Sequence, residues 1–326
     1  MRNLLRLFVG VLLHCSAVVA WIFVAKTDDS AVLTRFQVAK VCNVATDFGA
    51  KGDNLTLNTL AFRAAAAACA GAGTAMQRAV VLIPTGIFLT GAFNLSSNTE
   101  LRLQRGATVA AVTTLARSEF PAVAPFPSYG TCRDSPCEYI SPGVAKPAWC
   151  LARTQALVSA FFADNVAIIG EGSADESVID GRGCFWWAQH MAKTPSLSVC
   201  RPQLINFISS KNVEVASVTL KNPAFWNMHL WNSSSIHVHD TRHIATTHPS
   251  CAQIKPGERV VAINSDGIDV DSSQDVYIER VYIAAGDDAV AIKRRALSCP
   301  CYTAQVHHIV LSADLPVDLT RCLALL

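Results

Sequence analysis

Asp266, Asp287 and Asp288 are the residues of this chain whose type and spacing could do chemistry. They fall in two similar units, N-S-D-G-I-D-V-D-S-S from Asn264 and A-G-D-D-A-V-A-I-K-R from Ala285, which align without gaps with Gly286 on Asn264, an offset of 22 residues. That offset lays Asp288 on Asp266, Val290 on Ile268 and Ile292 on Val270. A period in the low twenties with apolar residues at alternate positions suits a solenoid, each turn adding a strand to a parallel sheet. Neighbouring strands of such a sheet lie about 4.8 Å apart. Asp266 and Asp288 would then stack, with Asp287 beside them. Like charges that close repel and push one pKa upward, so they do not serve stability. They suit acid–base hydrolysis, in which one carboxyl protonates a leaving oxygen and others activate a water. Asp287, displaced by one residue from the stacked pair, reads as the acid, with the water held between Asp266 and Asp288.

The elements around these residues follow from alternation. Ile268 and Val270 point inward, so their strand begins at or after Gly267 and Asp266 sits on a bend. Asp269 and Asp271 are then expected to face outward, with Asp271 one rung from Lys293 in a surface ion pair. Similar strands start at Val166, Val213, Ile236, Val276 and Val306, separated by 47, 23, 40 and 30 residues. The 23 fits one coil, the 47 two, and the others coils with inserted loops. Ser209-Ser210, Ser233-Ser234 and Ser272-Ser273 precede three of these strands and suit tight corners. Asn58 is placed to cap an alanine-rich helix over 59–70, stopped by Gly71 and Gly73. Such a helix would cover the open end of the first coil. Residues 118–149, with six prolines, form a long excursion. Tyr129 there could stack on a sugar, or the stretch is a disulfide-braced surface loop.

The paired aspartate motifs, followed through the chain, resemble the polygalacturonase-type glycoside hydrolases of family 28. The resemblance includes V-A-T-D-F-G-A-K-G-D at 44–53, I-P-T-G-I-F-L-T-G at 83–91, L-R-L-Q-R-G-A-T at 101–108, I-D-G-R-G-C-F-W-W at 179–187 and R-P-Q-L-I-N-F at 201–207. It implies an all-β chain, a right-handed parallel β-helix over 40–326 with the N-terminal helix as its cap. It also implies that Asp287 protonates, that Asp266 and Asp288 orient the water, and that Asn264 lies near the sugar. The implied substrate is a pectic polysaccharide, polygalacturonate or rhamnogalacturonan, with no metal or organic cofactor. Two family motifs expected after the G-D-D unit do not follow it. His307 and His308 lack the flanking glycine of G-H-G, and no Arg-x-Lys comes after. The expectation is a C-terminally truncated β-helix whose last coils are missing and whose grip on uronate is weakened. The alternative is an inactive β-helix that binds polysaccharide, or a non-functional product.

Composition narrows the remaining classes. Net charge is +2 and only 16% of residues are charged, which gives no electrostatic case for nucleic acid. Arg2 and Arg6 precede the apolar run 7–25, which reads as a signal peptide or an uncleaved anchor. The protein is therefore expected to be secreted, extracellular or in the cell wall, and monomeric. Twelve cysteines fit an oxidising compartment. Cys132/Cys137 and Cys299/Cys301 lack zinc spacing, so disulfides are the better reading. Sequons at Asn54, Asn94 and Asn232 would carry glycans. An acidic ladder of Asp266, Asp269 and Asp271 could instead bind calcium, but alternation puts Asp266 on a different face. His237, His239, His243 and His248 look metal-like in sequence; His237 and His239 share an outward face, and most such pairs are surface residues rather than a metal site. Trp186-Trp187 suits either core or groove wall.

Overall fold

A computed structural model describes residues 38–123, 153–192, 200–245 and 260–293, with the backbone of two further strands, Ile309–Leu311 and Leu323–Leu325. The apolar run 7–25 expected to be a signal peptide or anchor, Tyr129 with most of the excursion, Cys132, Cys137, Cys299, Cys301, His248, Val306, His307 and His308 lie outside the described residues. Three parallel sheets run the length of the described chain, of eight, seven and seven strands. From Phe93 onward each coil visits the second sheet, then the first, then the third, whereas the strands before it alternate between the first and third sheets. The expected right-handed parallel β-helix is the fold.

Inward rows explain why these residues form these strands. In the second sheet Phe93, Val158, Ile205, Met228, Ile268 and Val290 stack in register. Two residues on, Leu95, Ala160, Phe207, Leu230, Val270 and Ile292 form the next row. β-branched and aromatic side chains fit such stacks. The helix Thr59–Cys69 lies across the N-terminal end, burying Thr59, Phe62, Ala65, Ala66 and Cys69. Phe62 meets Phe93 at 5.2 Å and Phe88 at 6.2 Å between ring centroids. Full burial of such a ring stabilises by about 1.5–3 kcal/mol, and Cys42–Cys69 ties the helix to the first strand. Asn58 precedes the helix but its side chain does not cap it. Its amide instead bonds the Lys51 backbone in both directions and the Thr56 carbonyl, closing the preceding turn.

The corners between the second and first sheets are a stacked device. Phe162, Ser209, Asn232 and Ser272 all take left-handed φ near 50°. The residue after each is Ala163, Ser210, Ser233 or Ser273. Each of these serine hydroxyls accepts the backbone N–H one coil back: Ala163 to Ser210 at 3.2 Å, Ser210 to Ser233 and Ser233 to Ser273 at 3.0 Å. The serine pairs therefore do mark corners, and they also bond adjacent coils together.

Two spacings are corrected. Val166 pairs directly with Val213, so the 47-residue interval is one coil, not two. An insertion carrying the helix Cys184–Met191 fills the difference. Ile309, not Val306, is the residue in register with Val276. His243 does not share the outward face of His237 and His239. It stands on the inward row between Leu220 and Ile283, fully buried, and burial drives its pKa down to about 3.

The outer face of the first sheet carries a charged ladder. Arg78 Nη1 lies 2.7 Å from Glu214, and His239 lies 3.7 Å from Glu214 and 2.7 Å from Asp240. His237 lies 2.9 Å from Glu279, its ring 4.2 Å from that of His239. These histidines thus face carboxylates. Burial would depress the His239 ring, but the Glu214 and Asp240 carboxylates outweigh it and raise its pKa above 6.5. Burial would likewise raise Glu214, yet His239 and Arg78 hold it down to about 2. The raised His239 stabilises the fold fully below pH 6.5, and that contribution is lost as pH rises through its folded pKa. The Glu214 contribution is present above pH 4.5 and is lost as pH falls toward 2. The difference in thermal midpoint between the wild type and His239→Gln should therefore be largest between about pH 4.5 and 6.5 and shrink above it. Melting curves across pH check this; a difference that grows with pH would contradict it.

Candidate active site

The site is built where two adjacent coils enter the second sheet, on strands Ile268–Asp271 and Val290–Lys293. Ile268 pairs with Val290, Asp269 with Ala291, Val270 with Ile292 and Asp271 with Lys293, which is the 22-residue register. The ladder continues one step before the strands. Gly267 N–H donates to Asp288 O at 2.9 Å, and Asn227 N–H donates to Asp266 O at 2.9 Å. These bonds hold the backbones of Asp266 and Asp288 in successive layers. Two glycines permit the approach. A Cβ on Gly267 would come 2.4 Å from Ala289 O, and one on Gly286 would come 2.1 Å from Ala262 O. No side chain fits at either.

The three aspartates differ in cover. Asp266 is 5% exposed, Asp288 is partly buried and Asp287 is exposed. Burial raises the pKa of Asp266 to about 6, with Lys293 opposing and Asp287 and Asp288 adding to the rise. Burial also raises Asp288, and the Asp287 charge adds to it. The carboxylates therefore feel one another, as their stacking requires. Asp287 borders an open hollow of about 370 Å³ lined also by Ala245, Val261, Ala262, Ile263 and Gly286.

Asn264 sits at left-handed φ of 51°, a conformation asparagine tolerates. Its Nδ2 donates to Asp287 Oδ2 at 3.4 Å. Its Oδ1 accepts from Arg201 Nη2 at 2.9 Å. Arg201, 2% exposed, also donates to Ile263 O at 2.7 Å and Ala224 O at 3.1 Å. The guanidinium thus pins Asn264, and through it the Asp287 side of the site. Sequence reasoning missed this function, since Arg201 stands there only as the first letter of a motif. The available signal was one arginine opening an apolar segment, whose five N–H groups must find acceptors when buried.

The outward surface of these strands corrects an expectation. Asp269 and Asp271 point away from the core yet are fully buried. Lys293 is in register with Asp271, but its ammonium turns to Asp269, with Asp266 at 3.7 Å and the Trp226 ring centroid at 3.4 Å. Asp271 instead lies 3.4 Å from His229 Nε2 and accepts from Ser272 at 2.9 Å. The expected Asp271–Lys293 surface pair is thus a buried Asp269–Lys293 pair, because the lysine leans toward the site along its strand. A cationic side chain already stands between the carboxylates that calcium would have to share. Trp186 and Trp187 are core. Trp186 packs edge-on against Phe120 at 5.7 Å, and Trp187 packs with Ala245, Val260 and Ala262.

Residues 153–305 match the family described as glycosyl hydrolases family 28. A probable polygalacturonase of Vitis vinifera is 33% identical over 248 residues, which is 76% of this chain and 43% of that protein. An exopolygalacturonase of Zea mays is 24% identical over 76% of this chain and 48% of its own length. The chain therefore spans about half the length of the curated relatives it matches. Among solved structures, a family 28 exopolygalacturonase of Yersinia enterocolitica superposes with a TM-score of 0.59 at 20% identity, covering 83% of this chain and 48% of that one. A polygalacturonase of Erwinia carotovora gives 0.56 at 22% identity, over 88% and 65%. Both share the fold.

Asp266 is held at a cost to stability. Its folded pKa lies above the unfolded value of 3.8, so stability falls as pH rises from about 4 through about 6. Asp266→Asn removes that loss. At pH 7 the variant should be more stable than the wild type by on the order of 1–3 kcal/mol, the linkage energy of a carboxyl raised from 3.8 to about 6. The gain should vanish below about pH 4. Denaturant melts at both pH values check the sign.

Proposed function

Because this chain is of the polygalacturonase type of glycosyl hydrolases family 28, we propose that it hydrolyses a galacturonan-type pectic polysaccharide with inversion at the anomeric carbon. The observation that carries the reading is the one-coil register that stacks Asp288 on Asp266 and leaves Asp287 exposed at the rim of the hollow. Asp287 gives its proton to the glycosidic oxygen as the bond to the anomeric carbon breaks. Asp266 and Asp288, when ionised, hold a water on the opposite face and take its proton as its oxygen bonds to that carbon. One water is consumed and two sugar ends are released, the new hydroxyl with inverted configuration. Asn264, bonded to Asp287 and braced by Arg201, sets the acid's orientation and lies where a sugar hydroxyl would reach it.

Secretion belongs to the same proposal. The sequon asparagines Asn54, Asn94 and Asn232 are all exposed, as glycan attachment requires. A polymeric substrate outside the cell and a chain that acts as a monomer complete it.

The test is release of reducing sugar from polygalacturonic acid and from rhamnogalacturonan. Asp287→Asn should lower kcat at least about 100-fold, the usual worth of a positioned general acid. If the wild type and this variant release equally little from either polymer, the enzymatic reading fails, and the alternative of an inactive β-helix that binds polysaccharide or is a non-functional product stands in its place.

A further inference from the structure

Lys293 and Asp269 are buried charged groups that the proposed reaction does not use. Their side chains are 4% and 0% exposed. The lysine stands on the strand of the G-D-D unit, five residues beyond Asp288, and reaches back across the coil boundary to Asp269 and Asp266. The Trp226 ring lies one coil before Asp266 in the same register and covers the ammonium at 3.4 Å. Trp226 is itself stacked on Phe225 at 4.7 Å between ring centroids, so the cover is firm. An ammonium enclosed by two carboxylates and an aromatic face is desolvated, where its attraction to each is strongest.

We propose that Lys293 is a positioning residue of this site: its ammonium, clamped between Asp269 and the Trp226 ring, fixes the Asp266 carboxylate in place and in its charged form. This rests on the reading above for its catalytic meaning, though not for its geometry. Asp266 needs such help because burial and two neighbouring carboxylates all favour its neutral form. The groups facing it are Lys293 and Asp269 from the second sheet, and Asp287 and Asp288 from the next coil. His243 in the third sheet, near the Gly267 backbone, is buried and neutral. His229 and Asp271 lie further along the strands and engage one another. Among these Lys293 is the group that opposes the rise at Asp266. Without it, the residue proposed to receive the water's proton would keep that proton closer to neutral pH than it does in the wild type.

The test is the titration of the Asp266 carboxyl carbon by NMR in the full chain labelled at aspartate, assigned with Asp266→Asn. In Lys293→Met the Asp266 midpoint should move up by about one pH unit or more, whereas Lys293→Arg should leave it near the wild-type value. In turnover the acid limb of kcat/KM should move the same way, with kcat at pH 5 falling about tenfold or more while KM changes little. An unchanged midpoint in a folded Lys293→Met protein, or a loss of activity equal at every pH, would overturn the proposal. If Lys293→Met does not fold, the reciprocal measurement decides. The Lys293 ammonium hydrogens should exchange with solvent more slowly in the wild type than in Asp266→Asn, and equal rates would overturn it. Should the wild type release no sugar, the hydrolase reading fails while the titration still judges Lys293.

Discussion

Everything at the site depends on parallel strands pairing one coil above another without a slip. A one-residue shift between strands 268–271 and 290–293 would turn Ile268 and Val270 outward and carry Asp288 away from Asp266. Several independent contacts forbid it. The inward rows lock the apolar side, Gly267 and Gly286 allow backbone to close on backbone, and the serine corners bond each turn to the next. The carboxylates sit at the N-terminal entrance to the strands. There the ladder still fixes the backbone, but the side chains are released from alternation.

The charges around that entrance are arranged in two depths. At the rim, Asp287 is exposed and bonded to Asn264, which Arg201 holds from beneath. Below, Asp266, Asp269 and Lys293 form a buried group with Trp226 as its wall. Burying two carboxylates with one ammonium is expensive, and the pKa rise at Asp266 records the cost. A fold selected only for stability would have filled this place with apolar side chains. The strain is concentrated where the proposed water would be deprotonated.

Much of this is legible in the sequence because the repeat carries both the fold and the site. The offset of 22 between the Asp266 and Asp288 units is the observed register, and the apolar residues at 268, 270, 290 and 292 point where alternation sends them. What fails does so for physical reasons. Alternation reports which way Asp269 and Asp271 point, but not whether other side chains cover that face. Spacing alone does not distinguish two coils from one coil with an inserted helix, so the interval from Val166 to Val213 misleads. The inward place of His243 leaves no trace in the sequence, because a lone polar side chain on an inward row breaks no sequence rule. Asn58 holds the cap position but finds better partners in the turn before it. The bracing by Arg201 crosses 62 residues to reach Ile263, a separation at which no local pattern operates.

The unequal coil intervals have a further consequence. Between Val158 and Ile205 the chain adds a helix, while between Ile205 and Met228 it adds almost nothing, yet both steps land in the same register. Connecting segments are thus uncoupled from the strands they join. Length differs between these crossings while the strand register on either side is the same. Such a scaffold lets the surroundings of the proposed site vary through its connectors while the register that stacks Asp266 and Asp288 is kept.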